Sequence, residues 1–153
     1  MYKIMFVCLG NICRSAMAEC IMTDIVRRKG LDSVFQIDSS GTSSEEEGNG
    51  IYPAAARKLK EMGVPLLPHR AKQLTREDYD RFDFIFCMEQ RNVDSAKRIL
   101  GGDKDGKVMR LLDITDNPRN IADPWWTGDF DRAYADIVEG CELALDYVSS
   151  MGK

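Results

Sequence analysis

The sequence has one histidine, no excess of positive charge and no long apolar run, and each absence narrows the class of protein. With only His69 and five scattered cysteines, a tetrahedral zinc site is hard to assemble, so we expect neither a metal nor a cofactor. Acidic residues outnumber basic ones by 25 to 21, and the net charge of −4 argues against nucleic acid or an anionic membrane as a partner. No apolar run approaches the ~18 residues of a membrane span, and we recognise no signal peptide at the N-terminus.

The composition that remains is typical of a globular domain. The chain has 153 residues, 44% of them apolar and 30% charged, and no linker or repeat divides it, so we expect a single domain over 1–153. Its five cysteines are odd in number and unevenly spaced, which predicts reduced thiols and, without a secretion signal, a cytoplasmic location. We expect a monomer, with a weak dimer as the alternative.

Short apolar runs alternate with helical patterns along the chain. The runs at 4–8, 34–38, 84–88 and 108–112 predict strands, and the apolar spacing predicts helices over 15–29, 53–62, 91–100 and from 130 onward. This alternation predicts an α/β fold with a parallel sheet. Ligands bind outside the carboxyl ends of such strands, so we expect the chemistry in the loops that follow Cys8, Asp38, Met88 and Leu112.

The loop after the first strand has the composition of an oxyanion site. Cys8 ends the strand, and Arg14 and Ser15 open a helix after five intervening residues that include Gly10 and Asn11. Backbone N–H groups of a tight loop and a helix N-terminus attract anions, and an arginine can bind two oxygens of a tetrahedral oxyanion. The same field favours the thiolate of Cys8, which would then be a nucleophile for phosphorus, with the loop and Arg14 stabilising the transition state.

A cysteine followed by arginine at this spacing also arises by chance, with a buried cysteine and a surface arginine. The context favours the site. Of the five cysteines only Cys8 has an arginine at this spacing, and it lies where an apolar strand meets a Gly-Asn turn before a helix.

The segment 7–15 resembles the active-site loop of the low-molecular-weight protein tyrosine phosphatases. The resemblance continues at 69–75, 83–89 and 121–126 and covers essentially the whole chain. It implies a four-stranded parallel sheet flanked by helices on both faces. It also implies metal-independent hydrolysis of tyrosine-phosphorylated proteins through a cysteinyl-phosphate, with Cys8 as nucleophile and Arg14 as phosphate ligand.

A tyrosyl leaving group departs more easily if a general acid protonates its oxygen. Asp123, followed by Pro124, is the best candidate, although an Asp-Pro pair is also a common turn cap. The resemblance implies that Asp123 is the acid, which protonates the phenolate and then accepts a proton from the attacking water. Asp116, near Pro118, is the second candidate.

The resemblance also implies supporting roles around the loop. Ser15 would stabilise the Cys8 thiolate, while Asn11, Ser39 and His69 would hold the loop by hydrogen bonds. Ser39 as an ordinary strand-end residue stays open. Substrate binding is expected from the loop residues and two tryptophans, which would form an aromatic slot too deep for phosphoserine: Leu9, Gly10, Asn11, Ile12, Cys13, Ser15, Trp125 and Trp126.

Two positions qualify this expectation. Cys13 is either a packing residue or the partner of Cys8 in a protective disulfide under oxidation. Glu45 stands near a position that is aromatic in many relatives, so one wall of the slot is polar and the peptide preference stays open.

Three other functions compete. Related arginine phosphatases use the same loop but carry threonine where Ile12 stands, and isoleucine favours a phenyl ring. Arsenate reductases share the loop but need two further redox cysteines near the third strand, where this chain has only Cys87. A silent phosphate-binding module does not explain why Cys8, Arg14 and Asp123 occur together.

Overall fold

The computed structural model describes residues 1–151 and contains a sheet of four parallel strands. The strands are β1 (Tyr2–Cys8), β2 (Phe35–Gly41), β3 (Phe84–Cys87) and β4 (Val108–Arg110). Their order across the sheet is β2-β1-β3-β4, and all three neighbouring pairs are parallel. The predicted α/β class and four-stranded parallel sheet are confirmed.

Side chains of β1 alternate between two apolar layers. Ile4, Phe6 and Cys8 belong to the core on one face of the sheet, whereas Met5 and Val7 belong to the core on the other. A strand buried on both faces is apolar at every position, which is why its sequence is a continuous apolar run. Complete burial of each large side chain stabilises the fold by about 1.5–3 kcal/mol.

Helices cover both faces of the sheet, as predicted. They are α1 (Arg14–Arg28), α2 (Pro53–Glu61), α3 (Asp78–Arg81), α4 (Gln90–Leu100), α5 (Pro124–Thr127) and α6 (Phe130–Met151). The first, second and sixth helices pack together against the larger core, and α3 and α4 contribute to the smaller core on the opposite face. Within residues 1–151 no helix is both long enough and apolar enough to cross a membrane.

The carboxyl ends of β2 and β4 differ from the prediction by more than one residue. β2 continues to Gly41, beyond the expected end at Asp38, because Ser39, Ser40 and Gly41 pair with the last residues of β1. β4 stops at Arg110 rather than Leu112, and a 3₁₀ turn (Leu111–Ile114) follows. The carboxylate of Asp113 accepts hydrogen bonds from the backbone N–H and the side chain of Arg110, which turns the chain away from the sheet.

The strand order places a crevice beside the end of β1. The chain passes from β1 to β2 on one side and returns to β3 on the other, so the loops after β1 and β3 diverge at this point. The loop 9–13 and the residues after β3 therefore lie on the two sides of the crevice.

Candidate active site

The loop between β1 and α1 is fixed through its carbonyl groups. Four of them accept hydrogen bonds of 2.6–2.9 Å from outside the loop: Cys8 from Thr42 N–H, Leu9 from Ser43 N–H, Asn11 from the His69 ring and Ile12 from Tyr52 N–H. In a trans peptide the N–H points opposite to the preceding carbonyl. The N–H groups that come directly after these four carbonyls therefore face the concave side of the loop. They belong to Leu9, Gly10, Ile12 and Cys13. Together with the N-terminus of α1 they form a site for an oxyanion.

Two backbone positions give the loop its curvature. Asn11 has φ of 59°, in the left-handed region that asparagine tolerates better than most residues. Behind the loop, a Cβ built on Gly41 would lie 2.7 Å from the carbonyl oxygen of Leu9. Such a contact is too short for any side chain, so glycine at the end of β2 is what lets the loop lie against the sheet.

A directed chain of hydrogen bonds leads to the sulfur of Cys8. Asn11 Oδ1 accepts from the N–H of Lys72, which fixes the orientation of the amide, and Nδ2 then donates to Ser15 Oγ at 2.8 Å and to Ser39 Oγ at 3.0 Å. Since Ser15 Oγ accepts from the amide, its proton is free to point at Cys8 Sγ, 3.0 Å away. The N–H of Asn11 also points at Sγ, at 3.3 Å. The sulfur of Cys8 therefore has two hydrogen-bond donors beside it, the Ser15 hydroxyl and the Asn11 N–H.

The far end of this hydrogen-bonded series is a partly buried acid, Glu19, to which no sequence pattern points. Ser39 donates its proton to Glu19 Oε1 at 2.5 Å. Burial raises the pKa of Glu19, while the hydrogen bond from Ser39 opposes that rise. The sequence predicts Ser39 either to hold the loop by hydrogen bonds or to be an ordinary strand-end residue. In the structure it lies between Glu19 and Asn11.

His69 lies outside the pocket and holds the loop. Its Nε2 is 2.6 Å from the carbonyl oxygen of Asn11. A carbonyl oxygen only accepts, so Nε2 carries a proton in this contact. The structure therefore places His69 against the loop backbone, opposite the side where an oxyanion would bind.

Arg14 is buried at the start of α1 and crosses the crevice. One nitrogen donates to Glu89 Oε2 at 2.6 Å and to the carbonyl oxygen of Ile121 at 2.8 Å, and the other lies 3.3 Å from Asp123 Oδ2. These contacts fix the plane of the guanidinium at the edge of the loop. The sequence predicts chemistry after Met88 but does not indicate a role for Glu89, because a contact across 75 residues leaves no local pattern.

Asp123 caps the short helix α5 and faces Arg14. Its Oδ1 accepts from the N–H of Trp125 at 3.0 Å, and Pro124 follows it as the first, buried residue of the helix. The turn-cap and general-acid interpretations are therefore compatible, because one oxygen caps while the other faces the guanidinium. Asp116, the second candidate for the acid, is exposed and lies outside the pocket that contains Cys8, Arg14 and Asp123.

One pocket of about 190 Å³ brings most of the predicted residues together. Cys8 is 3% exposed at its base, whereas Leu9, Trp125 and Trp126 are 53%, 50% and 80% exposed around it. Its other predicted members are Gly10, Ile12, Cys13, Arg14 and Asp123, and Ser43, Glu45 and Glu46 complete the lining. The pocket lining does not include Asn11, Ser15, Ser39 or His69. The glutamates make one wall acidic and polar.

Cys13 contributes a neutral thiol to this pocket. Burial raises its pKa to about 12, and the neighbouring Cys8 adds to the rise. Cys13 is therefore protonated near neutral pH and does not compete with Cys8 as a nucleophile. Among residues 1–151 no group of three or more histidine, cysteine, aspartate or glutamate side chains is arranged to hold a metal ion.

Comparisons with known proteins identify relatives over the whole length of the chain. A family model described as low molecular weight phosphotyrosine protein phosphatase matches residues 3–151. The low molecular weight protein-tyrosine-phosphatase YfkJ of Bacillus subtilis is 35% identical over 147 residues, which are 95% of this chain and 94% of that protein. The crystal structure of YfkJ has a TM-score of 0.95 and covers 100% of this chain and 98% of its own, at 33% identity.

A second solved structure has a different named activity. The crystal structure of DARP, a Drosophila arginine phosphatase, has a TM-score of 0.84 at 28% identity and covers 95% of this chain and 96% of its own. The same fold therefore occurs in proteins named for two phosphate-bearing side chains.

Proposed function

Because the chain belongs to the low molecular weight phosphotyrosine protein phosphatase family, we propose that it hydrolyses phosphotyrosine in proteins, with Cys8 as nucleophile, Arg14 as phosphate ligand and Asp123 as general acid and base. The observation that carries this proposal is the pocket shared by the three side chains. The sulfur lies at its base with two hydrogen-bond donors, and the guanidinium and the carboxyl group stand together at its edge.

The first step transfers the phosphoryl group to sulfur. The Cys8 thiolate attacks phosphorus, the bond to the phenolic oxygen breaks, and Asp123 gives its proton to that oxygen. The loop N–H groups and Arg14 stabilise the charge on the other phosphate oxygens. The products are a cysteinyl-phosphate and tyrosine.

The second step regenerates the enzyme. The Asp123 carboxylate takes a proton from water as the water oxygen attacks phosphorus, and the bond between sulfur and phosphorus breaks. The sulfur leaves as a thiolate, which the hydroxyl of Ser15 stabilises from 3.0 Å. Inorganic phosphate is then released.

The shape of the pocket supports phosphotyrosine over phosphoserine. The sulfur is buried, while Leu9, Trp125 and Trp126 extend outward around it and Ile12 adds an apolar contact. A phenyl ring fills such a slot and carries its phosphate down to the sulfur, whereas the single methylene of phosphoserine does not span the walls. Tyrosine-phosphorylated proteins are therefore the proposed substrates.

Phosphoarginine is the second candidate substrate. The similarity to DARP favours it, since the fold accommodates that activity in another protein. Ile12 in the pocket favours the aromatic ring instead, because it offers no hydrogen bond to a guanidinium. Comparing kcat/KM for phosphotyrosine and phosphoarginine peptides of one sequence decides between them.

Trapping the intermediate tests the mechanism. When labelled phenyl phosphate is mixed with the enzyme and quenched in acid, we expect phosphorus on Cys8 and near-total loss of turnover in Cys8→Ser and Arg14→Lys. Cys20→Ala and Arg91→Lys are the matched controls, because Cys20 lies outside the pocket and Arg91 is an exposed arginine across the crevice. An acid-stable label elsewhere, or full turnover by Cys8→Ser, contradicts the proposal.

We also propose that residues 1–153 act as one monomeric domain in a reducing compartment such as the cytoplasm. All five cysteines are free thiols, and Cys8 has to be reduced to act as a nucleophile. Sedimentation at micromolar concentration distinguishes the monomer from a weak dimer.

A further inference from the structure

The segment that carries Asp123 has few contacts of its own. It leaves the protein interior at Ile121, whose N–H donates to the carbonyl of Met88 at 2.8 Å, and re-enters at Phe130, the first residue of α6. Between these points Pro124 is buried, but Trp125 is half-exposed and Trp126 is 80% exposed. The position of the carboxyl group therefore depends on Arg14 and on the contacts made by α5.

Tyr52, which the sequence analysis did not single out, provides such a contact. Its ring centroid lies 4.8 Å from that of Trp125 with the planes tilted by 57°, and it stacks on Phe130 at 6.2 Å. Tyr52 thus contacts α5 and the start of α6, on either side of the turn at Gly128. Aromatic pairs in such arrangements contribute about 0.5–1.5 kcal/mol beyond their buried area.

The same residue is tied to the phosphate loop. The backbone N–H of Tyr52 donates to the carbonyl of Ile12 at 2.8 Å, directly before the helix α2 begins. Tyr52 therefore bridges the loop that would bind phosphate and the segment that carries the acid. Tyr52 contacts α5 and α6 through its ring and the phosphate loop through its backbone N–H, and neither contact uses its hydroxyl.

The contact reaches the carboxyl group through Trp125. The ring of Trp125 packs on Tyr52, and the N–H of Trp125 donates to Asp123 Oδ1 at 3.0 Å. Movement of this tryptophan would shift its N–H, and with it the carboxyl group relative to Arg14 and the sulfur. An acid has to lie within hydrogen-bond distance of the leaving oxygen to protonate it.

We propose that Tyr52 is a positioning residue for Asp123: its ring holds α5, and its backbone holds the phosphate loop, so that the acid stands at a fixed distance from the scissile bond. This inference rests on the proposed function. Attack by Cys8 does not depend on the ring of Tyr52, and substitution of the side chain keeps the backbone N–H that holds the loop. Loss of the ring should therefore impair protonation of the leaving group selectively.

A series of substituted phenyl phosphates tests this selectivity. The kcat/KM value reports the steps up to departure of the phenol, and a poor leaving group needs the acid more than a good one. We expect Tyr52→Leu to lower kcat/KM about tenfold for phenyl phosphate and less than about threefold for the ester of the most acidic phenol. Tyr52→Phe keeps the ring and should retain the wild-type values across the series.

Three controls make the test decisive. Tyr147→Leu removes another half-buried tyrosine that packs on a phenylalanine, at the amino end of β3, and should leave the leaving-group dependence unchanged. Tyr52→Met is a second variant, and melting temperatures verify that both Tyr52 variants fold. In an Asp123→Asn background, Tyr52→Leu should cause no further change in the leaving-group dependence.

A uniform fall in kcat/KM for every leaving group, or no fall at all, overturns the inference, since either result means that Tyr52 does not act through the acid. Additive effects of Tyr52→Leu and Asp123→Asn overturn it as well. If the wild-type protein hydrolyses none of the esters, the proposed function itself fails and the role of Tyr52 falls with it.

Discussion

The residues of the candidate site differ in burial and in the number of contacts that hold them. Cys8, Asn11 and Ser15 are almost fully buried and joined by hydrogen bonds, whereas Asp123 lies on a segment with two exposed tryptophans. Buried networks hold their members in one arrangement, and exposed segments move more readily. The nucleophile is therefore preorganised by the fold, while the acid depends on a few local contacts.

Replacing Asp123 by asparagine separates its helix-capping contact from its proton. The amide oxygen can still cap α5 by accepting from Trp125 N–H, but the side chain can no longer act as an acid. We expect kcat/KM for phenyl phosphate to fall by about 10² to 10⁴, with little change in melting temperature. Steady-state kinetics and calorimetry on the same preparation check both parts.

Asp116→Asn is the matched control for this prediction, since Asp116 is the other aspartate near a proline and lies outside the pocket. It should retain wild-type kinetics. A large loss of activity in Asp116→Asn together with an active Asp123→Asn would show that Asp123 is not the general acid.

The elements of secondary structure position the site through one unusually close approach. The end of β2 lies directly behind the phosphate loop, and Gly41 accommodates the carbonyl oxygen of Leu9 in the space of a missing side chain. Because the obstructing atoms belong to the backbone, any side chain at this position has to push the loop toward the substrate.

We therefore expect Gly41→Ala to distort the phosphate site while leaving the sheet intact. The inhibition constant of inorganic phosphate should rise and kcat/KM should fall, each by about tenfold, because the loop N–H groups no longer converge. Gly50→Ala is the control, since a Cβ there would first meet His69 O at an ordinary 3.8 Å. An unchanged inhibition constant in Gly41→Ala would mean that the loop relaxes without cost.

Among the secondary-structure elements, the sequence predicted those strands whose residues form a local apolar pattern. The apolar runs that became β1 and β3 are buried on both faces, so composition alone identifies them. The end of β2 is Ser-Ser-Gly, which has no strand pattern, and it becomes strand only because β1 pairs with it. The turn after Arg110 likewise depends on the hydrogen bonds that Asp113 accepts from the backbone and the side chain of Arg110.

The same limit explains which site residues were identified. Cys8, Arg14 and Ser15 lie close together in the sequence, at the two ends of one short loop, and Asp123 has a neighbouring proline, so spacing and resemblance point to them. Glu19, Glu89 and Tyr52 act through partners far away in the chain or through packing, as in the contact between Ser39 and Glu19. Such contacts become visible only once the fold is known.

The whole molecule keeps several reduced thiols in its interior, on both faces of the sheet. Cys20 and Cys141 lie in the larger core and Cys87 lies in the smaller one. Burial raises the pKa of each of them, because a thiolate is poorly solvated there. These three cysteines lie outside the candidate site and therefore behave as small apolar side chains at neutral pH.

This burial makes the stability of the fold sensitive to alkali. A thiol whose pKa is raised in the folded protein binds its proton more tightly than in the unfolded chain, where the ordinary value is 9.0. The stabilising contribution is fully present below about pH 9 and is lost as the pH rises toward the folded value, since the folded state then binds more protons than the unfolded one.

Cys141→Ala tests this dependence at one buried thiol on α6. The variant should be less stable than wild type at pH 7, and above pH 9 its unfolding free energy should decline less steeply, by up to about 1.4 kcal/mol per pH unit. Urea unfolding under reducing conditions between pH 7 and 10.5 measures both effects. Val148→Ala removes another fully buried side chain of α6 without a titrating group, so it should retain the wild-type slope. Equal slopes in the two variants would show that Cys141 does not retain its proton more tightly in the folded protein than in the unfolded chain.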